Sequence, residues 1–391
     1  MRHILALIIA AGVLAGAASA SASDGAWVRT MGASVRAVDP AKADMVGNAT
    51  VRFAVRLTLG GRAFRLLLSN EHGATDMHIG AATLGYMDGN AEKFVPVTVG
   101  GKGDFTIAAG APVLTDDIAV ALADAQVVDV SLFFPDRTAL TTSHADRNPA
   151  AVSAPGDFTT SAGFPTAATF RSRPVLGGID VAAAPGAKTI VAYGDSITDA
   201  GDDVTAPVSR WSDVLAQRLT AARKPYAVAN ESIAGNRILH DGTGTSALAR
   251  FDRDVLSLPN VGYVVMLEGI NDIGHIGDAG QPVVTADDII AGYKQIVARA
   301  HQNGIKVYAA EILPFKGAKY ASDDKDKVRQ AVNDWLRAPG SVDGVVDFKD
   351  AVADPADPLR LNPKLERGDH LHPNDDGERA MGKAIDLGLF K

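Results

Sequence analysis

The chain has 391 residues, 47% hydrophobic and 21% charged, which suggests two domains at about 100–200 residues each and leaves ample apolar material for packed cores. Thirty-eight Lys and Arg stand against 46 Asp and Glu, a net charge of −8, so the chain is a poor candidate for binding nucleic acid. Cysteine is absent, which excludes disulfides, thiolate nucleophiles, iron–sulfur clusters and cysteine zinc sites.

Residues 1–23 read as an export signal. Arg2 and His3 form a short polar start, and Leu5 to Leu14 is an apolar run too short to span a bilayer. Small residues from Ala17 to Ser23 follow, so cleavage is expected near Ala20 or Ala22. The alternative is an uncleaved membrane anchor. The expectation is a secreted or periplasmic protein with no membrane association after cleavage.

From 24 to 185 the pattern favours strands. Val51, Phe53, Val55, Leu57 and Leu59 alternate with Arg52, Ala54, Arg56 and Thr58, the period of a half-buried strand. Gly60-Gly61 ends it. Shorter candidates lie at Arg65–Leu68, Val95–Val99 and Ile118–Leu122, and Val128, Val130, Leu132 and Phe134 repeat the alternation. Helical periodicity is missing, which suggests a β-rich, sandwich-like domain. The stretch from Ser143 to Gly186, rich in Pro, Ala, Gly and Ser, reads in part as a linker.

From 186 to 391 the period changes. Strand candidates at Thr189–Tyr193, Tyr226–Ala229, Tyr263–Leu267, Ile305–Ile312 and Val345–Phe348 alternate with helical patterns. The helices are marked by Trp211, Val214, Leu215 and Leu219, by a start at Thr285 with Asp288 three residues on, by Val328, Val332, Trp335 and Leu336, and by Glu378–Leu387. Such alternation predicts a parallel sheet covered on both faces, an α/β doubly wound, flavodoxin-like fold. Sites in such folds lie beyond the carboxyl ends of the strands.

Four segments carry chemistry. In Gly194-Asp195-Ser196-Ile197-Thr198, Ser196 stands at a strand end on a tight turn, where its own N–H can meet a developing oxyanion. In Ser232-Ile233-Ala234-Gly235-Asn236-Arg237, Gly235 allows its N–H a close approach to the same oxygen. In Gly269-Ile270-Asn271-Asp272, Asn271 offers a side-chain amide. In Asp369-His370-Leu371-His372, a carboxylate three residues from an imidazole can fix its tautomer. Each segment alone also reads as an ordinary turn. The last admits a metal site as a rival, since His370, His372 and Asp369 are close, but no third ligand cluster with recognisable spacing accompanies it.

In this order, the four segments resemble the SGNH hydrolases, the GDSL esterase/lipase family named for Ser, Gly, Asn and His in four blocks. The resemblance spans about residues 188–391, with Ile197 in place of the family's Leu. It implies the SGNH hydrolase fold and a serine esterase without cofactor or metal. It selects His372 over His370 as the base, with Ser196 the nucleophile and Asp369 completing the triad. Ser196, Gly235 and Asn271 then form the oxyanion hole.

The resemblance fixes the reaction better than the substrate. Export, a preceding β-rich domain and few apolar lid segments lean toward acetyl or other short acyl esters on a polysaccharide or glycoside. A lipase or arylesterase of the same family and a non-catalytic carbohydrate-binding module are the alternatives. Asn236 and Arg237, next to Gly235, are expected to contact substrate; Asp199, Arg210 and Trp211 are weaker candidates, with Trp211 on the core stripe of its helix. Glu268 reads as a carboxylate behind the site, and Phe315 and Lys316 as cleft lining. His240 and His275 read as loop histidines. The loops Ser69–His72 and Ser143–Arg147 are placed to reach the site.

Overall fold

The computed structural model describes residues 26–201, 204–206 and 210–391. The export signal expected at residues 1–23 lies outside the described residues.

Residues 26–183 form two antiparallel sheets packed face to face. One carries strands Ala26–Gly32, Leu176–Ala183, Gly61–Ser69, Pro112–Leu114 and Ile118–Leu122. The other carries Thr166–Pro174, Thr142–Pro155, Ala49–Arg56, Val127–Phe134, Ala81–Asp88 and Ala91–Pro96 in that order, with Arg36–Ala37 beside Thr142–Pro155. The alternation read at Val51–Leu59 is the inward face of Ala49–Arg56, where Val51, Phe53 and Val55 are buried. They pack with Leu66, Leu68, Leu84, Val130 and Leu132 between the sheets.

Most of the stretch from Ser143 to Gly186 is strand, and only its end crosses between the halves. It holds most of Thr142–Pro155 and all of Thr166–Pro174 and Leu176–Ala183. Small residues misled the reading because Leu176–Ala183 is buried along most of its length and needs no alternation. The crossing between the two halves is the short turn after Ala183.

The second half is built on five parallel strands. Their order is Tyr226–Asn230, Lys188–Gly194, Val261–Leu267, Lys306–Ala310 and Gly344–Val346. The chain starts in the second position, moves to one edge, then crosses to the other side. The order therefore reverses beside Lys188–Gly194, and the crevice of such a sheet opens there. Ile190, Val191 and Ala192 are fully buried, as a strand covered on both faces requires.

Thr285 and Asp288 close a capping box at the start of helix Ala286–Gln302. Helix Trp211–Ala221 packs closely on Asp375–Ala384. A Cβ at Gly382 would sit 2.7 Å from the Trp211 carbonyl oxygen, so only glycine permits the approach. At this crossing Glu378 accepts the Trp211 N–H at 2.9 Å. The halves meet where Ala26–Gly32 packs on Tyr226–Asn230 and Lys188–Gly194. The Arg29 N–H donates to Thr189 Oγ1 at 2.9 Å, and its guanidinium pairs with Asp180 at 2.5 Å and Glu231 at 3.5 Å.

Burial pushes the Glu378 carboxyl up to about 8, against the Trp211 N–H that favours its charge. The folded protein therefore keeps a proton that the unfolded chain releases, and stability falls as pH rises toward 8. Thermal melts from pH 5 to 8 should show Glu378→Gln gaining on the wild type as pH rises. Parallel curves for the two proteins would contradict this assignment.

Candidate active site

Ser196 opens a one-turn helix, Ser196–Asp199, directly after strand Lys188–Gly194. The turn is shaped by Asp195, which is buried and accepts the Ile197 N–H at 2.9 Å. Burial pushes the Asp195 carboxyl up to about 7. Ser196 Oγ lies 2.9 Å from Nε2 of His372. Nδ1 of His372 lies 2.6 Å from Asp369 Oδ2. The other carboxylate oxygen accepts the N–H groups of His372 at 2.9 Å and Leu371 at 3.0 Å. Burial works against the Asp369 charge, but these donors and the imidazole outweigh it and hold the carboxyl below its ordinary range.

His370 turns away. It adopts a left-handed backbone at φ 59° and faces Glu366 at 3.3 Å. Of the two histidines, only His372 faces Ser196.

Gly235 sits in a tight turn after Tyr226–Asn230, at φ 79°. A side chain there would be strained, and its Cβ would lie 2.9 Å from Thr243 Oγ1. Among the described residues, neither the Ser196 nor the Gly235 N–H donates a hydrogen bond. Asn271 donates from Nδ2 to the Asn236 carbonyl at 2.9 Å, which fixes the amide and leaves its second N–H.

The Gly235 turn is held from three sides. Ala234 donates its N–H to Asp199 at 3.1 Å. Asp272 accepts the N–H groups of Ile238 at 2.8 Å and Leu239 at 3.1 Å. Arg250, fully buried, donates to Asn236 Oδ1 at 2.9 Å, to the Glu231 carbonyl at 2.6 Å and to the Gly194 carbonyl at 3.2 Å. The same guanidinium binds Asp254 and, across the two halves of the chain, Ser34 at 3.1 Å. A cleft of about 300 Å³ opens beside Ser196 and His372, walled by Ala145, Ala200, Gly201 and Ala234, with Arg367 at its edge.

Residues 192–380 match the family of GDSL-like lipases and acylhydrolases. Those residues form a domain of this family, the SGNH hydrolases. The chain is a carboxylic ester hydrolase. Similar solved structures include a GDSL-like lipase from Bacteroides thetaiotaomicron, 21% identical over 52% of this chain and 87% of that one, with a TM-score of 0.40. An acetyl xylan esterase from Geobacillus stearothermophilus is 20% identical over 52% and 94%, with a TM-score of 0.40. An alpha/beta hydrolase from the Lake Arreo metagenome is 21% identical over 52% and 94%, with a TM-score of 0.41. No curated protein matches the chain.

Several expected contacts of this SGNH hydrolase lie elsewhere. Asn236 is buried and gives both amide hydrogens to the Thr243 and Thr245 carbonyls, at 3.1 and 2.8 Å. Arg237 binds Gln281 at 2.7 Å and the Asp241 carbonyl. Both side chains hold their own loop, and neither lines the cleft at Ser196. Phe315 is buried, and Lys316 pairs with Asp357 at 2.7 Å, so neither lines the cleft at Ser196. Trp211 is core, and Arg210 pairs with Asp213 at 2.9 Å. Glu268 is buried directly before Gly269, with its carboxyl raised by burial. His275 is an exposed partner of Asp278, and His240 lines a different hollow with Leu239. Of the two segments expected as loops, Ser143–Arg147 lies instead within strand Thr142–Pro155 and brings Ala145 to the cleft, while His72 of the other donates its N–H to Thr142 at 2.9 Å.

Sequence reading missed Arg250 and Ser34, and reached His144 only as part of the segment Ser143–Arg147, with no role for its ring. Only the Asp that follows Asn271 carried a signal, through its place in the third block.

Replacing Arg250 with Met leaves Asn236 Oδ1 and the Glu231 carbonyl without their donor in the interior and Asp254 with Arg253 alone, and should destabilise the fold by about 3–5 kcal/mol in denaturant titration. Arg237→Ala should leave KM for a small ester within about twofold of wild type, since its bonds are internal. A KM raised about tenfold by Arg237→Ala would return that side chain to the substrate.

Proposed function

We propose that this SGNH hydrolase cleaves short-chain acyl esters, acetyl above all, by acyl transfer through Ser196, and that its natural substrate is an esterified carbohydrate met outside the cytoplasm. The unbroken line from Ser196 Oγ through His372 to Asp369, at 2.9 and 2.6 Å, carries the reading.

Ser196 Oγ attacks the ester carbonyl, and its proton passes to His372 Nε2. Asp369, kept ionised by its N–H donors, stabilises the imidazolium through Nδ1. The carbonyl oxygen becomes an oxyanion that meets the N–H groups of Ser196 and Gly235 and the free amide N–H of Asn271. The tetrahedral centre collapses, the C–O bond to the alcohol breaks, and His372 returns its proton to the leaving oxygen. Water then attacks the acyl-serine, with His372 again as base, and releases the acid.

The size of the acyl group is argued from the wall. Ala145, Ala200, Gly201 and Ala234 are small but close in on Ser196, in a cleft of about 300 Å³. That volume suits an acetyl group beside a polar alcohol better than a long acyl chain. Arg367 and Asp369 give the rim polar character, in keeping with a hydroxyl-rich alcohol. The expected export signal and the β-rich half support a substrate outside the cell.

Hydrolysis of p-nitrophenyl acetate should exceed that of the octanoate, with acetate released from an acetylated polysaccharide. Ser196→Ala should lower kcat by roughly 10⁴-fold or more. Preference for the octanoate would overturn the short-acyl reading, and activity surviving Ser196→Ala would overturn the mechanism. Asn271→Ala should lower kcat about 10²–10³-fold with little change in KM, read from the same steady-state assay. A purely higher KM would remove Asn271 from the oxyanion hole.

A further inference from the structure

Asp199 sits three residues after Ser196 and closes the same helical turn. It is buried, and its Oδ2 accepts the N–H of Ala234, the residue before Gly235, at 3.1 Å. One carboxylate thus ties the nucleophile's turn to the turn that carries an oxyanion donor. Its other oxygen faces Nε2 of His144 at 3.4 Å.

His144 belongs to the other half of the chain, on strand Thr142–Pro155 of the β-sandwich. It too is buried, and its Nδ1 lies 3.0 Å from the Ser34 carbonyl. Carbonyl and carboxylate both only accept, so the ring sits between two acceptors. Ser34 is itself fixed, donating to Glu231 at 3.0 Å and accepting from Arg250 at 3.1 Å. Ala145, the next residue on the strand, walls the cleft.

We propose that His144 is a positioning residue of the esterase: it holds Asp199, and through Asp199 the Ala234–Gly235 turn, so that the β-rich domain sets the oxyanion hole of its neighbour. The inference rests on the serine mechanism above. Without His144, Asp199 loses its one imidazole partner in a buried position, where a carboxylate held only by Arg210 and the Ala234 N–H is less well compensated. It then protonates or turns, and Ala234 loses its anchor. Consistent with this, burial opposes the Asp199 charge, but His144, with Arg210 and the Ala234 N–H, holds the carboxyl below its ordinary range.

The oxyanion exists only in the transition state, so a displaced donor lowers kcat and leaves KM nearly unchanged. A shift of about 1 Å in such a group can cost up to about 10²-fold. The β-rich half is then part of the catalytic apparatus and not a tethered module.

The test measures kcat and KM on p-nitrophenyl acetate for wild type, His144→Ala, His144→Gln and Ser196→Ala. Rates are expressed per serine titrated with a fluorophosphonate. His144→Ala should lose roughly 10- to 100-fold in kcat per titrated serine, with KM within about twofold. His144→Gln, which keeps an N–H donor near Nε2, should recover part of that loss. Wild-type kcat per titrated serine in both His144 variants would overturn the inference, as would a loss confined to KM. No titratable serine in either variant would also overturn it, since a fold-wide role would then replace the positioning one. Retained activity in Ser196→Ala would instead overturn the serine mechanism itself, so the two failures are distinguishable.

Discussion

The buried guanidinium of Arg250 is the constraint on which the site depends. A charge out of water must have its donors satisfied. Here the partners are Asn236, Glu231, Gly194, Asp254 and Ser34, with the Tyr193 ring 4.2 Å away. Gly194 is the end of the strand before Ser196, and Glu231 to Asn236 is the loop that carries Gly235. Ser34 comes from the connection between Ala26–Gly32 and Arg36–Ala37 in the sandwich. One side chain therefore fixes the strand before Ser196, the Gly235 loop and the other half of the chain relative to one another. Asp272 and Asp199 fix what remains of that loop.

The carboxyls around the site divide into two kinds, and environment alone divides them. Asp195 and Glu231 lie in the interior, and burial raises both, to about 7 and about 8. They act as hydrogen-bonding fixtures for turns. Asp369 lies nearer the surface, and its N–H donors keep it below the ordinary range. The carboxylate that faces the His372 imidazole is thus kept charged by its donors, as the buried Asp199 is by His144, Arg210 and the Ala234 N–H. The position of Ser196 follows from topology: the reversal of strand order beside Lys188–Gly194 leaves a crevice at its carboxyl end.

Much of this was readable from sequence where local chemistry decides. Alternation marked Ala49–Arg56 and Val127–Phe134, and continuous apolar runs marked Lys188–Gly194 and Val261–Leu267. Ser196, Gly235, Asn271, Asp369 and His372 stand in short blocks at strand ends or in a loop, so their motifs placed them together. Composition failed at Ser143–Gly186, because small residues serve a buried strand as well as a linker. Adjacency failed at Asn236 and Arg237, since a neighbour of Gly235 in sequence can turn its side chain either way. Ser34 and Arg250 meet across 216 residues, and His144 meets Asp199 from another domain. No local pattern encodes such contacts; they follow from how two halves dock.

The account stands on Ser196 as the nucleophile. Its most direct test is peptide mapping of the enzyme after reaction with a fluorophosphonate, for wild type and His372→Ala. The account predicts one adduct, on the peptide that contains Ser196, formed far more slowly in the His372 variant. An adduct on another residue, or equal labelling without His372, would contradict it.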